Sequence, residues 1–293
     1  MHDAQFLAEE FEDHRTHLRS VAYRMLGSST EADDAVQEAW LRLARTDTTG
    51  VGNLGGWLTT VVGRVCLDML RTRQRRDEQS LDIAHLPDPV IVSATTPDPE
   101  HEALLADSVG LALLVVLESL SPAQRLAFVL HDIFAMPYEQ IAPIVDRTPQ
   151  TTKKLASQAR RRVQGATPGP DPDLPRQRRV VDAFLLAARG GDFDELVRML
   201  DPEVVLRADA GAAMRVIRGA AAVAGQAETF QRMATRCTVH PAVVNGRAGL
   251  VNTVDGTPFS VIGFTVVEDR ITAIDILSDH DRLAGLDLTA VLG

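Results

Sequence analysis

The chain has 293 residues, 45% of hydrophobic and 24% of charged type, and a net charge of −10. This is folded globular material, enough for about two domains, and it excludes a disordered or collagenous chain. No run of about 18 uninterrupted apolar residues occurs, and the N-terminus MHDAQFLAEEFEDHR is acidic, so neither a membrane span nor a secretory signal is expected and the protein reads as cytoplasmic.

Phe6, Leu7, Phe11, Leu18, Val21, Ala22, Met25 and Leu26 recur at helical spacing. Ser28-Ser29-Thr30-Glu31 then offers caps for a helix over about 32–44. A third helix is predicted over 54–76, with Trp57 in its apolar side and arginines toward its C-terminal end. Its Cys66 and the distant Cys237 belong to no CxxC or Cys/His cluster, so no disulfide, metal or cofactor is expected. Residues 77–100 carry Pro87, Pro89, Pro97 and Pro99 and read as a linker.

Leu113, Val116, Leu117 and Leu120 form the face of the next helix. Ser121-Pro122 starts another, since proline suits the first helical position, and Leu126, Val129, Leu130 and Ile133 continue it. Residues 138–145 and 151–163 are helical segments joined by Asp146-Arg147-Thr148-Pro149-Gln150, the length and chemistry of a helix-turn-helix. Pro143 should kink the first of them. In the second, Gln150, Thr151, Thr152, Lys153, Lys154 and Ser157 are expected to face base edges. Arg160, Arg161 and Arg162 would meet phosphates. Ile141, Ile144, Leu155 and Ala159 would pack the pair together.

A second linker over 164–175 is rich in proline and glycine. After it comes a helix bearing Val180, Val181, Phe184, Leu185 and Ala188, a break at Gly190-Gly191-Asp192 and a short helix over 193–200. Val204-Val205-Leu206 reads as a strand. Asn245-Gly246 and Asp255-Gly256 are strong two-residue hairpin signals between β-rich runs at 242–244, 248–254 and 259–267, followed by 271–277. The pattern predicts a curved antiparallel sheet with helices on one face. The chain thus divides into 1–76, 101–163 and 176–293.

The negative sum argues against a nucleic-acid partner, but its distribution matters more. Residues 1–165 hold 17 basic and 23 acidic groups, yet 64–76 carry five arginines against Asp68 alone, and 153–162 carry five cations and no acid. Two short positive stripes therefore stand on an acidic background.

EADDAVQEAWLRLAR (31–45) with GGWLTTVVGRVCLDMLRTRQRR (55–76) resembles region 2 of the extracytoplasmic-function (group 4) RNA polymerase sigma factors, and LSPAQRLAFVLHDIFAMPYEQIAPIVDRTPQTTKKLASQARRRV (120–163) resembles their region 4. VVDAFLLAARGGDFDELVRMLDPEVVLRAD (180–209) through FTVVEDRITAIDILSDHDRLAGLDL (264–288) is similar to the SnoaL-like, NTF2-like cone domain that one subgroup appends as a regulator. The resemblance implies a multidomain fold: an all-α region 2 bundle, an all-α region 4 helix-turn-helix and an α+β NTF2-like cone.

It also implies partners. Asp33, Asp34, Gln37, Glu38 and Leu41 would meet the β′ clamp helices of core RNA polymerase, and region 4 the β flap. An acidic, partly apolar face suits a protein better than DNA. Asn53 and Leu54 stand in the loop that captures a flipped promoter base in relatives. Arg64 and Asp68 stand where many relatives read the −10 element with asparagines, and Arg71, Arg73, Arg75 and Arg76 imply phosphate contacts. The recognition helix would read the −35 element. A linker of about 24 residues reaches ~80 Å, enough for two duplex turns of ~70 Å. His85-Leu86-Pro87-Asp88-Pro89 is similar to a Trp-Leu-Pro-Glu-Pro stretch of the subgroup. Asp209-Ala210-Gly211-Ala212-Ala213 stands where the subgroup has Asp-Gly-Gly-Gly, and both are expected to serve interdomain regulation.

Three function classes follow. The first is a promoter-specificity subunit of RNA polymerase tuned in cis by its cone, with room for an unknown small ligand there. The second is a one-component ligand-sensing regulator independent of polymerase. The third is an enzyme using Asp209, His240, Asp255 or Asp275 as acid and base. The expected reading is the first, a protein that is not an enzyme.

Overall fold

The computed structural model describes residues 2–46, 51–77, 85–94, 110–166, 173–211 and 214–293. They form two compact units, one of residues 1–82 and 114–167, the other of residues 83–113 and 168–293.

The first unit is helical. Helices α1 (His2–Leu26), α2 (Ser29–Leu43) and α3 (Leu54–Asp77) pack through Phe11, Leu18, Met25, Leu43, Leu58 and Leu67, all buried. Ser28 caps α2, its Oγ accepting the Glu31 amide. Asn53 caps α3, its Oδ1 accepting the Gly56 amide at 2.9 Å. Helix α4 (Leu111–Glu118) leads to α5 (Pro122–Phe128), which begins with a reciprocal capping box between Ser121 and Gln124 and proline in its first turn. The expected continuation through Ile133 is a π-turn, Val129–Ile133, rather than α-helix; it ends at Ala135, a non-glycine residue at φ 53°.

Helices α6 (Tyr138–Val145) and α7 (Pro149–Ala166) form the helix-turn-helix. Asp146 turns the chain in the left-handed region, and Thr148 Oγ1 accepts the Thr151 amide at 3.2 Å to start α7. Helix α6 runs through Pro143 as one element. The turn is tightened by buried Ile141, Ile144, Ala156 and Ala159.

The second unit is a cone. Helices α8 (Leu174–Gly190) and α9 (Phe193–Met199) precede strands β2 (Leu200–Asp209) and β3 (Met214–Arg218). Two short helices follow, α10 (Ala220–Ala224) and α11 (Ala227–Arg236), then β4 (Thr238–Val244), β5 (Arg247–Val254), β6 (Thr257–Val267) and β7 (Arg270–Leu277), and finally α12 (His280–Ala284) and α13 (Thr289–Leu292). Both predicted hairpin turns are present, with positive φ at Asn245-Gly246 and at Asp255-Gly256. A third, Glu268-Asp269, adopts positive φ without glycine.

The sheet departs from the expectation in two ways. It is not wholly antiparallel, because β2 pairs with β7 in parallel, Asp209 opposite Leu277. It also recruits a strand from the first linker. Residues Ile91–Ser93 form β1, antiparallel to β4 at the sheet edge, Ile91 opposite Val244. One face of the sheet packs α8 through Phe184, Leu250, Phe264 and Ile274. The other buries Ile91 with Val251, Val261, Leu277, Leu283 and Leu288. Among the described residues no helix is long and apolar enough to cross a membrane.

Candidate functional site

Helical periodicity places Asp33, Asp34, Gln37, Glu38 and Leu41 on one side of α2, opposite buried Ala32, Ala35, Val36, Ala39 and Leu43. Two of the acids are already engaged: Arg19 donates to Asp33 at 2.6 Å and Arg42 to Glu38 at 2.9 Å. Leu41 is 41% exposed, so this face offers an apolar residue among carboxylates.

On α3, Arg64, Arg71 and Arg75 are exposed, and Asp68 lies 3.9 Å from Arg71. Arg73 differs from them. Its guanidinium pairs with Glu31 and donates to the Leu26 carbonyl at 3.4 Å, so it ties α3 to the α1–α2 corner. Asn53 is used as a helix cap and Leu54 is half-buried. The side chain of Arg76 lies outside the described residues.

In α7, Gln150, Thr151, Lys153, Lys154 and Arg161 are exposed, and Ser157 and Arg160 are half-exposed. Thr152 faces the other way. It is fully buried, its hydroxyl donating to the Thr148 carbonyl at 3.0 Å, because it sits on the same stripe as Ala156 and Ala159. Arg160 also departs from the expected phosphate role, since its Nε donates to Asp132 at 2.6 Å.

The linker residues meet the cone around one carboxylate. Asp209, at the end of β2, is fully buried. It accepts the Leu86 amide at 2.8 Å, the Gly211 amide at 3.0 Å and Arg282 Nη1 at 2.8 Å, with His85 Nδ1 at 3.3 Å. Burial alone would raise the Asp209 carboxyl. The Gly211 and Leu86 amides, His85 and the Arg282 charge outweigh it and hold the group below the ordinary carboxylate range. Arg282 extends the clasp, donating to Asp88 at 3.0 Å and to the Leu86 carbonyl at 2.5 Å. Asp279 caps α12 and so positions Arg282. Gly211 has φ +85°, and a Cβ there would collide with the Asp279 carboxylate. Pro87 and Pro89 are buried, and Val90 exchanges two hydrogen bonds with Asn245, at 2.8 and 3.1 Å. Ala212 and Ala213 lie outside the described residues.

Of the four acid-base candidates, Asp209 belongs to the clasp and Asp255 to an exposed turn. His240 faces Thr253 Oγ1 at 3.0 Å. Asp275 is buried against Arg207 at 2.8 Å, its carboxyl raised by burial against the pull of Arg207 and Arg247. None of the four lines the cavity between α8 and the sheet.

Comparison with known proteins decides the family. The Sigma-70 region 2 model matches residues 11–76 and the Sigma-70 region 4 model residues 110–163. The ECF RNA polymerase sigma factor SigJ of Mycobacterium tuberculosis (strain H37Rv) is 38% identical over 277 residues, 91% of this chain and 86% of that one. The chain belongs to the extracytoplasmic-function RNA polymerase sigma factors. A second relative, the probable sigma factor SigI of M. tuberculosis (strain CDC 1551), is 34% identical over 92% of both chains. The crystal structure of M. tuberculosis SigJ superposes with a TM-score of 0.75 at 33% identity, over 96% of this chain and 99% of that one. This sigma factor therefore has core RNA polymerase and promoter DNA as partners, and α1–α3 and α4–α7 are its regions 2 and 4. The sequence reading missed Arg282 and the link from Asn245 to Val90, since each acts on a segment far away in the chain, and it marked Asn245 only as a turn residue; Asp279 acts locally, as the cap of α12.

Proposed function

We propose that this sigma factor is modulated in cis by its cone domain, which clasps the segment between regions 2 and 4. The supporting observation is Asp209, fully buried yet holding the Leu86 amide, with Arg282 reaching on to Asp88. A free tether of about 24 residues explores separations up to ~80 Å. Fastening residues 85–93 to a sheet edge takes that stretch out of the free tether, so the clasp limits which promoter spacings the two DNA-reading regions reach.

In this reading Asp34, Gln37 and Leu41 of α2 dock on the β′ clamp helices, with Asp33 and Glu38 beside them, and region 4 meets the β flap. Gln150, Thr151, Lys153 and Lys154 face the −35 element, while Arg64, Arg71 and Arg75 meet DNA phosphates near the −10 element. The exposure of these side chains supports the assignment. The cone acts as a regulator and not as an enzyme, and the protein works in the cytoplasm beside polymerase.

Run-off transcription with purified core polymerase tests this, comparing the full chain, its Asp209→Asn variant and a chain ending at Gly165. The expected result is promoter-selective transcripts from all three, with output shifted several-fold when the clasp is weakened or removed. Equal output across promoters would overturn control by the cone. DNA binding without transcripts would point to a regulator that works without polymerase.

A further inference from the structure

Among the described residues the cone buries two side-chain polar atoms without a hydrogen-bond partner, Arg247 Nη1 and Asn252 Oδ1, and of the two only Asn252 lines a cavity. Asn252 on β5 is 5% exposed, and its Nδ2 donates at 3.0 Å to Oγ of fully buried Ser260, the residue opposite it on β6. Asn252 Oδ1 is buried with no hydrogen-bond partner. Folded proteins rarely leave a buried acceptor in that state, because it has given up its water bonds for nothing.

The same residue lines a cavity of ≈ 50 Å³ whose other walls among the described residues are carbon, including Phe184, Leu250, Ile262, Phe264 and Ile276, apart from the thiol of Cys237. Leu185, Val239 and Cys237 are half-exposed and form its rim. An ordered water needs two to four polar partners, and these walls offer Asn252 and little else. A carboxylate ligand is disfavoured for the same reason, since no cation lines the cavity among the described residues.

We propose that this cavity binds a small, neutral, largely apolar molecule carrying one hydroxyl or N–H group, the donor on Asn252 Oδ1 and the apolar body against Phe184, Ile262 and Phe264. The volume seats a few carbon atoms, and the remainder of the ligand leaves between Leu185, Val239 and Cys237. The inference stands on the cone alone, so its failure is seen separately from a failure of cis control.

The test is binding to the full chain, followed by ligand-observed NMR and by the shift in thermal unfolding, with phenol, toluene and benzoate as probes. Phenol is expected to bind saturably and about tenfold more tightly than toluene, and benzoate not at all. Asn252→Leu should abolish the preference for phenol. Should that variant not fold, Cys237→Phe at the rim should block phenol while leaving the fold intact. Equal affinity for phenol and toluene, binding of benzoate, or phenol binding unaffected by either variant overturns the proposal. So does the absence of saturable binding by any probe.

Discussion

Asp209 and Leu86 stand 123 positions apart in the chain and are joined by one hydrogen bond, the Leu86 amide donating to Asp209 Oδ2 at 2.8 Å. Around that bond the cone converts a proline-rich connector into a strand of its own sheet. Leu86, Ile91 and Val92 are each at most 6% exposed, and burying each such side chain contributes about 1.5–3 kcal/mol. Polar and apolar terms therefore hold the connector together, and losing the carboxylate weakens the clasp without erasing it.

Asp209→Ala strands the Leu86 and Gly211 amides and one arm of Arg282. It is expected to destabilise the cone by about 3 kcal/mol, read as a lower midpoint in denaturant. In a double-mutant cycle Asp209→Ala and Arg282→Ala should couple by about 1–3 kcal/mol. Strict additivity would show that the two do not form one unit.

The pH dependence follows from the depressed Asp209 carboxyl. A carboxyl held below its unfolded value, ~3.9, contributes stability that is fully present above that value and is lost as pH falls through the folded one. Asp275 is raised and acts with the opposite sign, so the comparison is between the wild type and Asp209→Asn, in which only one of the two changes. The stability gap between them should be constant at neutral pH and close below about pH 4. A gap that persists to lower pH would remove the ionised carboxylate from the account.

The two faces of α7 give contrasting expectations. Lys153→Ala with Lys154→Ala should weaken −35 element binding by about 1–3 kcal/mol per lost base contact and relax the base preference at the positions they face. Thr152→Val should instead cost about 1 kcal/mol of stability through its lost hydrogen bond and leave promoter preference unchanged. A change of base preference in Thr152→Val would reverse the assignment of faces.

For the α2 face, Leu41→Glu places a charge on the exposed apolar residue among acids. Affinity for core polymerase, measured by fluorescence anisotropy, should fall at least tenfold while the helical unit keeps its unfolding midpoint. Unchanged affinity would move the polymerase contact to another surface.

Much of the helical half was legible because its signals are local. The 3.6-residue apolar period, Ser28 and Ser121 as caps and proline at the start of α5 each act within one or two turns, and so do the hairpins at Asn245-Gly246 and Asp255-Gly256. The Glu268-Asp269 turn escaped because neither residue is a strong φ-positive former, and the ladder between β6 and β7 imposes the conformation.

Tertiary structure decided what depends on distant partners. Thr152 and Arg160 look alike in sequence with their neighbours, but helix phase and Asp132 turn one inward and tie up the other. The parallel pairing of β2 with β7 and the capture of Ile91–Ser93 rest on hydrogen bonds between segments far apart in the chain. Composition marks residues 77–100 as a spacer. It says nothing about a strand at an open sheet edge, because edge pairing needs only unpaired backbone groups and a buried apolar side chain, and both are supplied by the cone.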